Sequence, residues 1–363
     1  MGKPIGVRPL GPRPMLRPLC MIAVCLAMVV CSVHGQLVPA LYIFGDSTVD
    51  VGNNNYLYTL VKSDFPPYGR DFDTHVPTGR FCDGRLATDY VSETLGFTSF
   101  PPAYLSPQAS GKNIITGVNF ASGASGIYDE TAKLYNAISL TQQLQYFHQY
   151  QSKLTSLVGQ QNASSTVSQA LYILSSGASD FVQNYYISPI LLKTFTVPQY
   201  IDTLILPMVS RFVQTLYKFG GRRIGITSLP PMGCLPAAIT LFGHGSNDCV
   251  TRLNQDALLY NRKLNSTVKG LAAKLPGLKI AVFDIYTALL DIVKHPSDNG
   301  FAETRRACCG TGIIETSILC NEKSFGTCSN ASSYVFWDSF HPSQAANEVL
   351  SSSLVLQGIS LIF

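Results

Sequence analysis

Charged side chains are scarce in this chain, and beyond its first segment neither sign is in excess. Asp, Glu, Lys and Arg make up only 13% of the 363 residues, whereas 46% are hydrophobic. Four of the 26 basic residues precede position 36 (Lys3, Arg8, Arg13 and Arg17), and the other 22 match the 22 acidic residues. Because no basic stripe remains that could follow a phosphate backbone, the composition argues against nucleic acid as a partner.

Motifs of two other protein classes are also missing. The chain has no G-x-S-x-G elbow, which an α/β-hydrolase uses to present its serine. It has no paired C-x-x-C, and no histidine lies between the cysteines at ligand spacing, so a zinc knuckle is the weaker rival of disulfide bonds. We expect neither a metal nor an organic cofactor.

The ten cysteines divide between the first segment and the rest of the chain. Cys20, Cys25 and Cys31 precede residue 36, which leaves an odd number, so at least one thiol stays unpaired; the predicted one is Cys82. In an oxidising compartment, close spacing predicts a bridge between Cys234 and Cys249. It also predicts two bridges among four later cysteines, with three possible pairings left open: Cys308, Cys309, Cys320 and Cys328.

Residues 1–35 are typical of a cleaved secretory signal. Basic positions precede an apolar run over residues 19–33, and a small residue, Gly35, follows. An uncleaved membrane anchor is the alternative, and no later segment convincingly predicts a membrane span. We therefore expect a secreted, extracellular protein with one domain over residues 36–363. Its sequons for N-linked sugar begin at Asn162, Asn265 and Asn330.

Short apolar runs alternate with helical patterns along the chain. Buried strands are predicted at residues 37–44, 171–174, 223–227 and 279–283, and a fainter one at 113–120. Apolar residues at spacings of three and four predict helices at 140–157, 200–219 and 258–275, and a last helix runs from 343 towards 356 with Pro342 at its start. This alternation favours an α/β fold with a parallel sheet covered on both faces and a site beyond the carboxyl ends of its strands.

Four short segments together contain the parts of a serine esterase. Ser47 ends a Gly-Asp-Ser triplet after the first predicted strand and is the candidate nucleophile, although such a serine is also a common helix cap. His341 is the candidate base, and Asp338, three residues earlier, would orient its imidazole, although a surface Asp-His pair has the same spacing. The segments around Gly123 and Ser179 also follow predicted strands, so all could face one crevice.

These segments resemble the GDSL esterase/lipases of the SGNH hydrolase superfamily, and specifically their plant branch. The similar stretches are residues 44–54, 118–123, 229–236, 308–310 and 336–342. The resemblance implies a flavodoxin-like, three-layer α/β/α fold in which Ser47, Asp338 and His341 form a triad, and Ser47 and Gly123 offer backbone N–H groups to the oxyanion. One motif departs: the family's Gly-x-Asn-Asp reads Gly-Ala-Ser-Asp here, so Ser179 replaces an oxyanion donor by a shorter side chain.

The resemblance implies a secreted serine esterase or lipase that cleaves carboxylic esters through an acyl-serine intermediate. Its partner would be an ester, either an acyl lipid or an acylated small molecule or polysaccharide, and we expect a monomer. Two alternatives stay open. The same acyl-enzyme could build an extracellular polyester by acyl transfer, or the scaffold could be a weakly catalytic or non-catalytic lipid- or wall-binding protein.

Overall fold

A five-stranded parallel sheet organises the part of the chain that a computed structural model describes, namely Gly2 and residues 35–363. Residues Val38–Phe363 form one compact unit. Of the predicted signal, the structure describes only Gly2 and Gly35. Its other residues, which include Cys20, Cys25, Cys31 and His34, lie outside the described residues.

The sheet has the strand order of flavodoxin-like folds, β2-β1-β3-β4-β5, and every neighbouring pair is parallel. Its strands are β1 (Leu41–Gly45), β2 (Gly117–Asn119), β3 (Leu171–Ser175), β4 (Arg223–Thr227) and β5 (Lys279–Phe283). Four of the five predicted strands are confirmed, β1 beginning later than expected. The faint strand at 113–120 is shorter than predicted, because Gly111–Ile114 forms a 3-10 turn before β2.

Twelve α-helices surround the sheet within residues 35–363. They are α1 (Ala87–Thr94), α2 (Asp129–Leu134), α3 (Leu140–Val158), α4 (Gln160–Gln169), α5 (Ala178–Val182), α6 (Pro189–Thr194), α7 (Val197–Tyr200), α8 (Leu206–Lys218), α9 (Pro236–Phe242), α10 (Thr251–Lys274), α11 (Ile285–Lys294) and α12 (Gln344–Ile362). The helix predicted at 200–219 is interrupted by a π-helical turn at Ile201–Ile205. Pro207, which has no N–H to donate one turn back, explains why the regular pattern restarts there.

Alternate side chains of β1, β3 and β5 enter two separate cores. On one face, Tyr42 and Phe44 of β1 pack against aromatic rings of α3 and α8, with centroids 5.2 Å apart for Tyr42 and Phe147 and 5.3 Å for Phe44 and Phe212. On the other face, Leu41 and Ile43 belong to a cluster that includes residues of α1 and α12. Because side chains alternate along a strand, one buried run supplies both cores, and the predicted three-layer α/β/α sandwich is confirmed.

A smaller two-stranded pairing carries the segment that ends at the histidine. Its strands are β6 (Glu303–Ala307) and β7 (Tyr334–Phe336), and two disulfides, Cys308–Cys328 and Cys309–Cys320, close the loops between them. A third disulfide joins Cys234 to Cys249. Cys82 is buried and is the one cysteine of residues 35–363 outside a disulfide. The structure thus chooses one of the three pairings that the sequence left open.

Helix α12 begins later than the sequence suggested. Pro342 lies before the helix, and the Ser343 hydroxyl caps it by accepting from the Ala346 N–H at 3.2 Å. Within the described residues, α12 alone is long and apolar enough to span a membrane by length and composition. It packs on α1 and β5, as core helices of soluble proteins do, so it is a weak indication of a span.

Candidate active site

Ser47 lies just beyond β1, and its hydroxyl contacts His341. The Oγ of Ser47 is 2.6 Å from Nε2 of His341, and the two residues are 6% and 4% exposed. The chain can turn away from the sheet here because Gly45 has a φ of 141°, and a Cβ at that position would lie 1.8 Å from the carbonyl oxygen of Ser175. The predicted nucleophile and base are therefore in direct hydrogen-bond contact.

Asp338 holds the imidazole from the opposite side. Its Oδ1 is 2.7 Å from Nδ1 of His341 and also accepts the backbone N–H groups of Phe340 and His341 at 2.9 and 3.0 Å. Three residues of one tight turn thus supply the carboxylate, the ring and two donors that fix the carboxylate. With a proton on Nδ1, the Nε2 atom is left as the acceptor that faces Ser47.

Two hydroxyl groups bind the other oxygen of Asp338, and no sequence pattern indicated either of them. Tyr68 donates to Oδ2 at 2.7 Å, and Thr316 donates to it at 3.0 Å. Burial and then the negative charge of Asp338 raise the pKa of Tyr68 well above its ordinary value, so its hydroxyl stays protonated and acts as a donor. Every oxygen of this fully buried carboxylate therefore has partners.

Other groups hold the backbone around Ser47. Asp46 caps the turn that follows by accepting from the N–H and hydroxyl of Thr48 at 3.0 and 2.7 Å. Gln143 of α3 binds both backbone groups of Gly45: its Oε1 accepts from the Gly45 N–H at 2.9 Å, and its Nε2 donates to the Gly45 carbonyl at 2.8 Å. Sequence patterns could not reveal this pair, since the two residues are 98 positions apart.

The backbone N–H of Gly123, which was predicted to bind the oxyanion, is bound to a carboxylate. Its backbone N–H donates to Oδ2 of Asp50 at 2.9 Å, and it lies in the buried interior. Asp50 also accepts the N–H groups of Gly52 and Asn53, each at 2.8 Å, and burial raises its pKa to about 6. In this geometry the Gly123 N–H already has an acceptor, so its prediction as an oxyanion donor gains no support here.

Ser179 stands at the start of α5, after a glycine turn. Gly177 has a φ of 131°, and a Cβ there would lie 2.9 Å from the side chain of Leu229. The next residue, Asp180, points away from Ser47: it accepts from the N–H of Ile127 and the hydroxyl of Thr131 at 2.7 and 2.6 Å. The motif thus anchors α5 through its aspartate and leaves Ser179 at the site.

A cavity of about 90 Å³ brings these groups together. Ser47, His341 and Ser179 line it, as does Gln183, which the sequence analysis did not single out. Its walls are mainly aliphatic, from β3, α11 and α12: Ile173, Ile285, Leu289, Leu350 and Leu354. The cavity therefore combines a polar end at Ser47 with an apolar body, which suits an acyl group bonded at one end.

Another histidine and the sequon residues lie away from this cavity. His295 also contacts a carboxylate, with its Nδ1 2.8 Å from Oδ1 of Asp291, but both side chains are more than half exposed. The sequon residues Asn162, Asn265 and Asn330 are exposed. Within residues 35–363 no cluster of three or more His, Cys, Asp or Glu side chains is arranged to hold a metal ion.

Comparisons of the sequence with known proteins agree on one family. A family model described as GDSL-like Lipase/Acylhydrolase matches residues 41–354. From Arabidopsis thaliana, GDSL esterase/lipase At5g03820 is 60% identical over 328 residues, covering 90% of this chain and 92% of the relative. GDSL esterase/lipase APG of the same plant is 58% identical over 328 residues, covering 90% and 93%. Among solved structures, an extracellular lipase from Streptomyces rimosus aligns with a TM-score of 0.39 and 10% identity, over 88% of this chain and 98% of that one.

Proposed function

Because the chain belongs to the GDSL-like lipase/acylhydrolase family, we propose that it hydrolyses carboxylic esters, with Ser47 as the residue that carries the acyl group. One observation supports this most strongly: the unbroken chain from Ser47 Oγ to His341 Nε2 at 2.6 Å, and from His341 Nδ1 to Asp338 Oδ1 at 2.7 Å. Nucleophile, base and orienting carboxylate are the groups that acyl transfer through serine needs.

The reaction follows from this geometry in two halves. In the first, His341 Nε2 takes the proton of Ser47 Oγ as that oxygen attacks the ester carbonyl, and the imidazolium then gives the proton to the departing alcohol. In the second, water attacks the acyl-serine while His341 takes its proton and returns it to Ser47. Asp338 stabilises the positive imidazolium in both halves. Because Asp338 is buried, no solvent shell weakens this interaction, which favours catalysis.

The oxyanion that forms in each half needs donors. No described residue accepts a hydrogen bond from the Ser47 N–H, so this group is available. The Ser179 hydroxyl lines the same cavity and would be a weaker second donor. Gly123 could contribute only if its N–H exchanged Asp50 for the substrate. We propose Ser47 as the main backbone donor.

The aliphatic walls of the cavity support an apolar acyl group as the part of the substrate bound there. Hydrophobic side chains from β3, α11 and α12 enclose it, and burying each methylene would contribute about 0.8 kcal/mol. The alcohol portion of the ester would then lie on the His341 side, where it receives the proton.

We also propose that the protein is secreted, with residues 1–35 removed and residues 36–363 forming the mature domain. The three disulfides support an oxidising compartment, and the exposure of Asn162, Asn265 and Asn330 would let a sugar transferase reach them. Sequencing the amino terminus of protein collected outside producing plant cells tests this: an intact Met1, or retention inside the cell, would overturn it.

Labelling by a fluorophosphonate, which reacts with activated serines, tests the catalytic assignment. Wild-type protein should be labelled and should cleave esters in a series of increasing acyl length. Ser47→Ala and His341→Ala should lose both properties while unfolding at the wild-type temperature, because both residues act in the chemical step. Ser156→Ala, which changes an exposed serine on α3, is the matched control and should behave as wild type.

The outcomes separate the alternatives. Full activity of Ser47→Ala would refute the assignment. Labelling with acyl capture by an added alcohol in preference to water would identify an acyltransferase. A wild-type protein that binds esters but neither cleaves them nor reacts with the label would be a binding protein on this scaffold.

A further inference from the structure

Gln183 is one of two residues lining the cavity, with Thr88, that have a buried polar atom without a partner in the described part of the chain. Gln183 lines the same cavity as Ser47, His341 and Ser179. Its Oε1 is buried, and no described residue donates a hydrogen bond to it. Buried polar atoms in native proteins almost always have a partner, so an exception inside a reactive cavity calls for a functional explanation.

The local helix places this side chain on the same face as Ser179. Gln183 follows α5, and its N–H donates to the Ser179 carbonyl at 3.0 Å, so the two residues are one helical turn apart on one face. Side chains on a helix tilt towards its amino terminus, so the longer Gln183 reaches back over Ser179. Both side chains line the same cavity, so the Gln183 amide is a candidate to replace a longer side chain at position 179.

The backbone of Gln183 is fixed while its amide is free to turn. The Tyr135 hydroxyl donates to the Gln183 carbonyl at 2.9 Å, which anchors the main chain. Nothing donates to Oε1, so no bond at that atom keeps the amide in one orientation, and its N–H can be turned to the place of the oxygen. A ligand that brings a negative oxygen would favour that orientation.

We propose that the side-chain amide of Gln183 donates a hydrogen bond to the oxyanion during acyl transfer, in place of the asparagine that position 179 lacks. Gln183 is then a catalytic residue, because it contacts the reacting oxygen. The proposal rests on the proposed function and explains how a chain with serine at position 179 keeps a side-chain donor. Together the Ser47 N–H and the Gln183 amide bind the oxyanion, and the Ser179 hydroxyl contributes little.

Replacing the amide by a side chain of similar length tests the proposal. Gln183→Met keeps an unbranched chain but removes the donor, so kcat should fall by about a hundredfold, with KM within about threefold, because the lost contact exists mainly in the transition state. Fluorophosphonate labelling should slow by a similar factor, since the phosphoryl oxygen occupies the oxyanion site. Gln161→Met, an exposed change on α4, should leave both rates unchanged.

A rescue variant distinguishes a donor from a structural residue. Ser179→Asn in the Gln183→Met background restores a donor at the neighbouring position and should recover at least tenfold in kcat. Ser179→Ala alone should cost less than about threefold, the size expected of a poorly placed donor. A lower unfolding temperature for Gln183→Met, without rescue, would mean that the residue acts through packing and would overturn the proposal.

The remaining outcomes are equally decisive. Unchanged kcat in Gln183→Met, or a rise in KM alone, would show that the amide does not bind the oxyanion. Either result leaves the proposed function intact as long as wild type is labelled and Ser47→Ala is not. If wild type itself is inert towards esters and label, the proposed function fails instead.

Discussion

At the scale of single residues, the two oxygens of Asp338 have different partners. Oδ1 accepts backbone N–H groups of Phe340 and His341 as well as the ring Nδ1, whereas Oδ2 accepts hydroxyl groups of Tyr68 and Thr316. An amide at this position would keep its oxygen towards the two backbone donors. Its NH₂ would then face hydroxyl groups, which can accept as well as donate.

Asp338→Asn should therefore lose charge without inverting the histidine tautomer. We expect kcat to fall by about tenfold to a hundredfold, the difference between a charged and a neutral hydrogen bond. An inverted tautomer costs roughly ten-thousandfold in the chymotrypsin-type triad. Steady-state kinetics on the best ester measure the loss.

The exposed pair Asp291 and His295 provides the matched control, because Asp291→Asn changes the same kind of contact away from Ser47. It should leave kcat unchanged. A loss near ten-thousandfold in Asp338→Asn would show that the amide turns its NH₂ towards the imidazole in spite of the two backbone donors.

At the scale of elements, a helix fixes the end of the strand that presents Ser47. Gln143 of α3 pairs with both the N–H and the carbonyl of Gly45, the last residue of β1. Gly45 sits where the strand leaves the sheet: among the described residues its N–H binds only this side chain, whereas its carbonyl also accepts the N–H of Ser122 at 3.1 Å. The position of Ser47 thus depends on how α3 packs against the sheet.

Gln143→Leu should destabilise the fold and impair the site together. The buried Gly45 N–H would lose its acceptor, whereas the Gly45 carbonyl would keep the N–H of Ser122 at 3.1 Å, so the free energy of unfolding should fall by roughly 1–3 kcal/mol. Urea unfolding measures this, and kcat should fall because Ser47 is less firmly placed. Gln145→Leu, exposed on the same helix, is the control; equal stability of the two variants would contradict the assigned role of Gln143.

At the scale of the whole molecule, three buried carboxylates, those of Asp50, Asp83 and Asp180, are linked to hydrogen-bond donors rather than to cations. Burial raises the pKa of Asp180 to about 7, although donors such as Thr131 and Ile127 oppose the shift. Burial likewise raises the pKa values of Asp50 and Asp83 to about 6. Between their ordinary values and these raised ones, the folded protein binds more protons than the unfolded chain.

Stability should therefore fall as the pH rises. The contribution of Asp180 is fully present below its ordinary pKa and is lost as the pH rises through about 7, a change of up to about 4 kcal/mol at 1.36 kcal/mol per pKa unit. Urea unfolding at pH 5 and pH 8 should show a smaller difference for Asp180→Asn than for wild type. Asp64→Asn, an exposed change, should keep the wild-type difference; an unchanged difference in Asp180→Asn would contradict the raised pKa.

The sequence by itself determined the sheet and its covering helices, because strands buried on both faces are continuous apolar runs and helices repeat every three to four residues. Residues 223–227 and 279–283 are strands with the predicted bounds. Asp338 and His341 were predictable as a pair because their contact lies within one turn. The position of Ser47 beyond the carboxyl end of β1 was predictable because parallel strands end at one edge, so a motif after β1 must face that edge.

Only the tertiary structure decided which distant groups meet. Tyr68 reaches Asp338 across 270 positions, Gln143 reaches Gly45 across 98, and Asp50 takes the N–H of Gly123 across 73. The disulfide pairing and the position of Gln183 in the cavity also depend on contacts between residues that are distant in the sequence. A local pattern reports how a segment folds, because its cause is the backbone of that segment; a contact between segments is set by packing, which the pattern of neither segment contains.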